Sequence, residues 1–209
     1  MWIFGIPSIH LTFPVKIDAT HVLLLSGDSL MAESLLFFLT DLMTMETAIR
    51  SGREDVVHDL LAQMSETEAV EQLTVTYGLG KHSPDDDGLF EGATPVLHAA
   101  RRGEPAVFSV IVRVMRERMD SHEVKVLLKA TDRRGRSVLA MAARGGSEDV
   151  FLRALKVLKE EFIDDQVKDM MTRTDGHSHS LLSLAAASGS KNAFDIVLSA
   201  LDEELERNE

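Results

Sequence analysis

The sequence predicts an all-α protein built from helical repeats that are joined by short turns. Helix-forming residues dominate the 209-residue chain, which holds only 5 prolines and 5% aromatic residues. Such a composition suits helices packed through Leu, Val, Ala and Met better than it suits a β-sandwich or a barrel. In addition, one sequence pattern recurs every 43 residues, which is typical of a repeat array.

The repeat is clearest in three segments, 94–103, 137–146 and 180–189, spaced 43 residues apart. The same spacing relates aromatic and acidic residues further along each copy, namely Phe108, Phe151 and Phe194, and Asp132 and Asp175. A weaker copy contains Gly52, which lies 51 residues before Gly103. The spacing therefore predicts about four repeats, near 44–92, 93–135, 136–178 and 179–209.

Each repeat is predicted to begin with a short helix. Its N-cap is a hydroxyl residue that can accept a hydrogen bond from a free backbone N–H, namely Thr94, Ser137 or Ser180. Pro95 fits the first helical position. Paired alanines would let a neighbouring helix approach closely, and a glycine would end each helix in the left-handed conformation: Gly103, Gly146 and Gly189.

A second helix is predicted to start near Pro105, Ser147 and Ser190. Helical spacing gives it one apolar stripe, formed by Val107, Phe108, Ile111 and Met115 in one copy and by Val150, Phe151, Ala154 and Leu158 in the next. A third helical piece contains Val124, Leu127 and Leu128, or Val167, Met170 and Met171. This third helix lengthens the repeat before the turn at 132–135.

The motifs of these units resemble the ankyrin repeat. The resemblance rests on the run from Asp132 to Gly146 and on the Thr-Pro-x-Leu-His-Ala run from Thr94 to Ala99. It implies a solenoid whose turns and first helices form a concave surface that binds other proteins, and it gives His98 a structural role. The 43-residue period exceeds the 33 residues of ankyrin repeats, so helical repeats of the HEAT type, with a period of about 40 to 47, are the alternative.

Two segments lie outside the regular pattern. Residues 74–92 form an insertion in the first repeat, predicted to be a surface loop that carries Tyr77, His82, Asp85, Asp86 and Asp87. Residues 1–43 precede the array and are predicted to be an irregular segment and a capping helix, whereas the array itself covers 44–209.

Charge and composition restrict the class of function. A net charge of −12 makes nucleic acid and anionic membranes unsuitable general partners. The absence of cysteine excludes disulfides and Cys-ligated zinc, as expected for an intracellular protein, and we predict a cytoplasmic location. No signal peptide or transmembrane segment is predicted, and we expect a monomer.

One short motif suggests a different class of protein. Gly27-Asp28-Ser29-Leu30 resembles the nucleophile block of the GDSL serine esterases. A serine nucleophile needs a general base, and the two Asp-x-x-His runs, 18–21 and 55–58, do not lie near the C-terminal end, where that family carries its own. We therefore predict that the protein is not an enzyme, with an esterase that uses Ser29 as the alternative.

Cofactor and metal sites are not predicted either. His177 and His179 could join His82 and the aspartates at 85–87 around a divalent metal, but one repeat separates the two segments. Gly78-Leu79-Gly80 lacks the third glycine of a dinucleotide loop and the Lys-Ser/Thr of a P-loop.

Basic residues concentrate between 113 and 144, where nine of the 22 lysines and arginines of the chain lie. They could form a solvated face with intrahelical ion pairs, or part of them could bind an acidic partner. The predicted partner-binding residues are those of the basic turn and the acidic loop: Arg133, Arg134, Arg136, Tyr77, His82, Asp85, Asp86 and Asp87. The function predicted is a protein–protein interaction scaffold, and a structural segment of a larger assembly is a further alternative.

Overall fold

The computed structural model describes residues 45–77 and 92–206, which all belong to one compact body, Met43–Glu209. These ranges contain helices, turns and one isolated antiparallel bridge between Tyr77 and Ala93, but no β-strand. The predicted all-α class is therefore confirmed. The segment predicted for 1–43, with its capping helix, lies outside the described residues.

The helices of the described ranges form three groups of three and a final pair. The first group is α1 (Met45–Arg50), α2 (Glu54–Gln63) and α3 (Glu66–Thr74), and the second is α4 (Pro95–Arg102), α5 (Pro105–Arg118) and α6 (Ser121–Lys129). The third is α7 (Val138–Gly145), α8 (Glu148–Glu161) and α9 (Asp164–Thr172), and the pair is α10 (Leu181–Ala187) and α11 (Lys191–Glu206). We call each group a unit.

The first helix of each unit ends on a left-handed glycine, as predicted. Gly52, Gly103, Gly146 and Gly189 have φ values between 68° and 76°. At the helix starts, the hydroxyls of Ser137 and Ser180 accept hydrogen bonds from the N–H groups of Ala140 and Ser183. The prediction for Thr94 is wrong in one respect: it occupies the N-cap, but it is buried and its hydroxyl makes no capping hydrogen bond to the described start of α4.

The second helices bury their predicted apolar stripes, and the third helices do so except at Met170, which is partly buried. Val107, Phe108, Ile111 and Met115 of α5 are buried, as are their counterparts in α8. The third helices α3 and α6 begin with a capping box, in which Ser65 pairs with Glu68 and Asp120 with Glu123. The third helix α9 follows Ile163 instead, which makes no side-chain cap.

Corresponding helices of successive units pack against each other. First helices pack in the order α1, α4, α7 and α10, and second helices in the order α2, α5, α8 and α11. Helices α4 and α7 approach closely at Gly145, where a Cβ would lie 2.8 Å from the carbonyl oxygen of Arg101. No helix within 45–77 and 92–206 is both long enough and apolar enough to span a membrane.

Candidate interaction surface

Two turns between units are each organised by a buried aspartate. One carboxylate oxygen of Asp132 accepts hydrogen bonds from the backbone N–H groups of Arg134 and Arg136, at 3.0 and 2.8 Å. One oxygen of Asp175 accepts from His177 and His179 in the same way, at 2.9 and 2.8 Å. The two aspartates are 43 residues apart, so the same turn is built twice.

The other oxygen of Asp132 holds the side chain of Arg136. Nε and Nη2 of Arg136 lie 2.7 and 2.5 Å from Oδ2 of Asp132, and the two side chains are only 3% and 0% exposed. The prediction that Arg136 projects towards a partner is therefore wrong. Its guanidinium neutralises a carboxylate that the turn needs for its backbone hydrogen bonds.

His179 takes the place of Arg136 in the second turn. Its Nδ1 lies 3.0 Å from Oδ2 of Asp175, but its ring is 54% exposed. Burial by itself would raise the pKa of Asp175, but the hydrogen bonds from His179 and His177 outweigh it and lower that pKa. Asp175 is therefore ionised at neutral pH, as the turn requires.

The two turns stack directly on each other. The N–H of Gly176 donates to the carbonyl oxygen of Arg134 at 2.6 Å. Gly135 has φ 73° and Ser178, its counterpart 43 residues later, has φ 63°, so both turns use the left-handed conformation. We call the outward side of this stack the turn surface; it consists of Arg133, Arg134, Gly176, His177 and His179.

The turn surface presents basic and imidazole groups. Arg133, His177 and His179 are exposed and Arg134 is half-buried. The rings of His177 and His179 lie 6.0 Å apart, centroid to centroid. Guanidinium and imidazole groups arranged in a row can donate hydrogen bonds to carboxylates or to backbone carbonyls of a bound segment.

Tyr77 is not a surface residue, contrary to the prediction. Its backbone pairs with Ala93 and Gly92 at 2.9 and 2.8 Å, and its ring is buried edge-on against His98, 5.6 Å between centroids. Burial raises the pKa of the Tyr77 phenol and, helped by the nearby charges of Arg50, Arg102 and Arg101, lowers the pKa of His98 to about 3. His98 is therefore a neutral ring within the packed interior.

Several predicted residues lie outside the described ranges. These are His82, Asp85, Asp86 and Asp87 of the loop, the Gly78-Leu79-Gly80 run, and Ser29 with the Asp18 to His21 run. The remaining Asp-x-x-His run is described. Asp55 pairs with Arg53 at 2.7 Å, and the ring of His58 contacts Asp59 at 3.3 Å.

No group of three His, Asp or Glu side chains within the described ranges lies close enough together to hold a metal ion. Some residues of the predicted basic concentration have partners in the neighbouring unit. Arg116 pairs with Glu160 and Glu161 at 2.8 and 2.9 Å, and Lys129 lies 4.9 Å above the ring of Phe162. Part of the basic concentration thus joins neighbouring units and is already engaged within the molecule.

The role of Asp132 and Asp175 was missed from the sequence. The signal was available, because the 43-residue spacing places both aspartates at the same point of the repeat. A buried carboxylate four residues before a cation or an imidazole predicts a turn with an internal ion pair.

Comparisons of the sequence with known protein families and with curated proteins found no match. The structure does have neighbours among solved structures. One is a chain of the crystal structure of the yeast ribosomal protein Rps3 in complex with its chaperone Yar1, with a TM-score of 0.53 and 18% sequence identity. The match covers 76% of this chain and 91% of that chain. At this identity the likeness concerns the fold alone.

Proposed function

We propose that the protein is a divergent ankyrin-like solenoid that binds another protein through the concave side formed by its turns and first helices. The observation that carries this proposal is the stacked pair of turns, which share one buried-aspartate architecture. Their tips are exposed, although the carboxylates that build them are buried. A rigid row of exposed loops on a packed scaffold is the usual place for recognition residues.

The chemistry of the turn surface indicates the kind of segment it would bind. The turn surface carries Arg133 and Arg134 in one turn and His177 and His179 in the turn stacked on it, whereas the protein as a whole carries a net charge of −12. A local basic patch on an acidic protein favours an acidic segment of a partner, which the remaining acidic surface would repel. We therefore expect an acidic, extended segment along the turns.

The structural neighbour supports a binding role without defining the partner. The complex of Rps3 with its chaperone Yar1 is an association of two proteins, and one of its chains has a fold similar to this one. The role proposed here needs neither a catalytic residue nor a cofactor, and a cytoplasmic location would suit it.

Charge reversal at the turn surface tests the proposal. Arg133→Glu combined with Arg134→Glu should abolish capture of the partner in an affinity purification followed by mass spectrometry. Arg136 stays unchanged, because its side chain holds Asp132. The matched control is Arg113→Glu with Lys156→Glu, which changes the net charge equally at exposed equivalent positions of α5 and α8.

The two double variants separate binding from general charge effects. We expect the control to capture the same proteins as the unaltered chain. If the turn variant also captured them at unchanged levels, the turn surface would not be the binding site.

A further inference from the structure

Five positions of the first and second helices bury apolar side chains in unit after unit. In the second unit they are Val96, Ala100, Phe108, Val112 and Met115, and in the third, 43 residues later, Leu139, Ala143, Phe151, Leu155 and Leu158; all ten are buried. The corresponding residues of the first unit are Met45, Ile49, Val57 and Leu61, also buried, and Met64, partly buried.

The side chains at the same five positions are not buried in the last unit. They are Leu182, Ala186, Phe194, Leu198 and Leu201, which we call the end surface; none of them is buried, and Leu198 is 39% exposed. Elsewhere on the same two helices, by contrast, Ala185, Ala193 and Val197 remain fully buried. The exposure is thus confined to the face that, in earlier units, packs against the next unit.

An uncovered apolar face of a repeat lowers solubility, so such faces usually carry polar residues. The end surface keeps five apolar or small residues, of which three follow helical spacing along α11 as Phe194, Leu198 and Leu201. Retained apolar character at an uncovered position is typical of an interaction site.

The charge beside the end surface differs from that of earlier units. Arg116 and Lys159 occupy one position of the repeat, and each pairs with a carboxylate one unit further on, Glu161 or Glu204. The third residue at this position is the exposed Asp202. Where earlier units extend a cation towards the next unit, the end surface therefore presents a carboxylate.

A second exposed carboxylate, Asp195, lies two helical turns before Asp202 on the same edge of α11. Lys191, in the first turn, is the one basic residue of this helix. One edge of the apolar stripe of α11 therefore carries the negative charges of Asp195 and Asp202, which follow Lys191.

We infer that the end surface binds an amphipathic helix of a partner protein, in which lysines or arginines flank an apolar stripe. A second copy of this chain fits less well, because two end surfaces would bring their own carboxylates together. A further unit of the same pattern fits less well too, since it would place a carboxylate like Glu161 or Glu204 against Asp202. The site is separate from the basic turn surface and selects the opposite charge.

Two synthetic peptides test this inference by fluorescence anisotropy with the full chain at low ionic strength. Both carry the same leucine stripe at helical spacing, flanked by lysines in one peptide and by glutamates in the other. We expect the lysine peptide to bind at least tenfold more tightly. Leu198→Asp should weaken its binding at least tenfold, because a carboxylate would replace the centre of the stripe.

A charge exchange keeps the test independent of any effect on folding. Asp195→Lys combined with Asp202→Lys should weaken binding of the lysine peptide and strengthen binding of the glutamate peptide. Val126→Asp is the matched control, since Val126 is an exposed apolar residue of α6, 53% exposed, outside the end surface. We expect this variant to bind like the unaltered chain, with unchanged circular dichroism.

Four results would overturn the inference. Binding of neither peptide would show that the end surface does not bind such a helix, and equal binding of both would remove the expected charge selectivity. An equal loss in Val126→Asp would show that the peptide does not bind at the end surface. A dimer in light scattering that dissociates in Leu198→Asp would assign the surface to a second copy instead.

Discussion

At the scale of single residues, the buried pair formed by Asp132 and Arg136 illustrates why charge alone does not identify a binding residue. Arg133, Arg134 and Arg136 belong to the same short turn, and the sequence gives no direct measure of their burial. Because the second carboxylate oxygen of Asp132 needs a donor, one arginine is drawn inward. The spacing of four residues decides which one, and His179 holds the same position relative to Asp175.

Removal of this carboxylate should be costly. Asp132→Ala would break two backbone hydrogen bonds and leave the buried guanidinium of Arg136 without its carboxylate. We expect a loss of about 3 kcal/mol in the free energy of unfolding, measured by urea denaturation. Asp169→Ala serves as control, since its pair with Arg173 is exposed and should contribute no more than about 0.5 kcal/mol. Equal effects of the two variants would contradict the assigned role.

His98 links stability to pH. The folded protein keeps its ring neutral down to a pKa of about 3, whereas the unfolded chain binds a proton near 6.5. Between these values the unfolded state holds more protons, so the free energy of unfolding falls as the pH falls below 6.5. From pH 7 to pH 5 the unaltered protein should lose about 2 kcal/mol more than His98→Gln.

The comparison concerns the slope of the free energy of unfolding with pH, so a general destabilisation by His98→Gln does not affect it. His58→Gln removes an exposed histidine and should leave the slope as it is in the unaltered protein. If His98→Gln kept that slope as well, burial of a neutral ring would not be the cause.

At the scale of helices, the helix ends and buried faces could be predicted more fully from the sequence than the structure of the turns. The glycine that ends each first helix and the apolar stripes of the second helices follow from local conformation and from periodicity, which a single sequence contains. The missing cap of Thr94 and the inward position of Tyr77 depend on how distant segments pack. Helical spacing does not give that information.

Gly145 sets the distance between first helices. Alanine normally stabilises a helix relative to glycine by up to about 1 kcal/mol. A Cβ at this position, however, would meet the carbonyl oxygens of Arg101 and Ala100 at 2.8 and 2.9 Å. We therefore expect Gly145→Ala to lower the free energy of unfolding by about 1 to 3 kcal/mol, measured in urea. A gain in stability would contradict the close contact of α4 with α7.

Ile163 stands where two other third helices carry a capping residue. It is 67% exposed, and it precedes α9 as Asp120 precedes α6. Ile163→Asp should restore a cap and raise the thermal unfolding midpoint, with a gain of about 1 kcal/mol. Ile163→Ala removes the same exposed side chain without adding a cap, so it should not produce this gain. Equal effects of the two variants would exclude capping as the cause.

At the scale of the whole molecule, two surfaces of the described residues have opposite charge. The turn surface is basic, the end surface is apolar with an acidic border, and ion pairs such as that of Arg116 with Glu161 join the units between them. The all-α class could be predicted from the sequence, and the division into about four repeats of 43 residues stays a prediction. The opposite chemistry of the two surfaces could not be predicted, because it depends on which members of each charged cluster are used within the fold.

Binding of a protein partner by the stacked turns can be measured on the captured complex. Hydrogen exchange with mass spectrometry is suited to this, because it reports backbone protection along the chain. We expect slower exchange on binding in residues 131–136 and 174–180, with little change along the outer side of α5 and α8. Protection confined to those second helices, with the turns unchanged, would contradict this expectation.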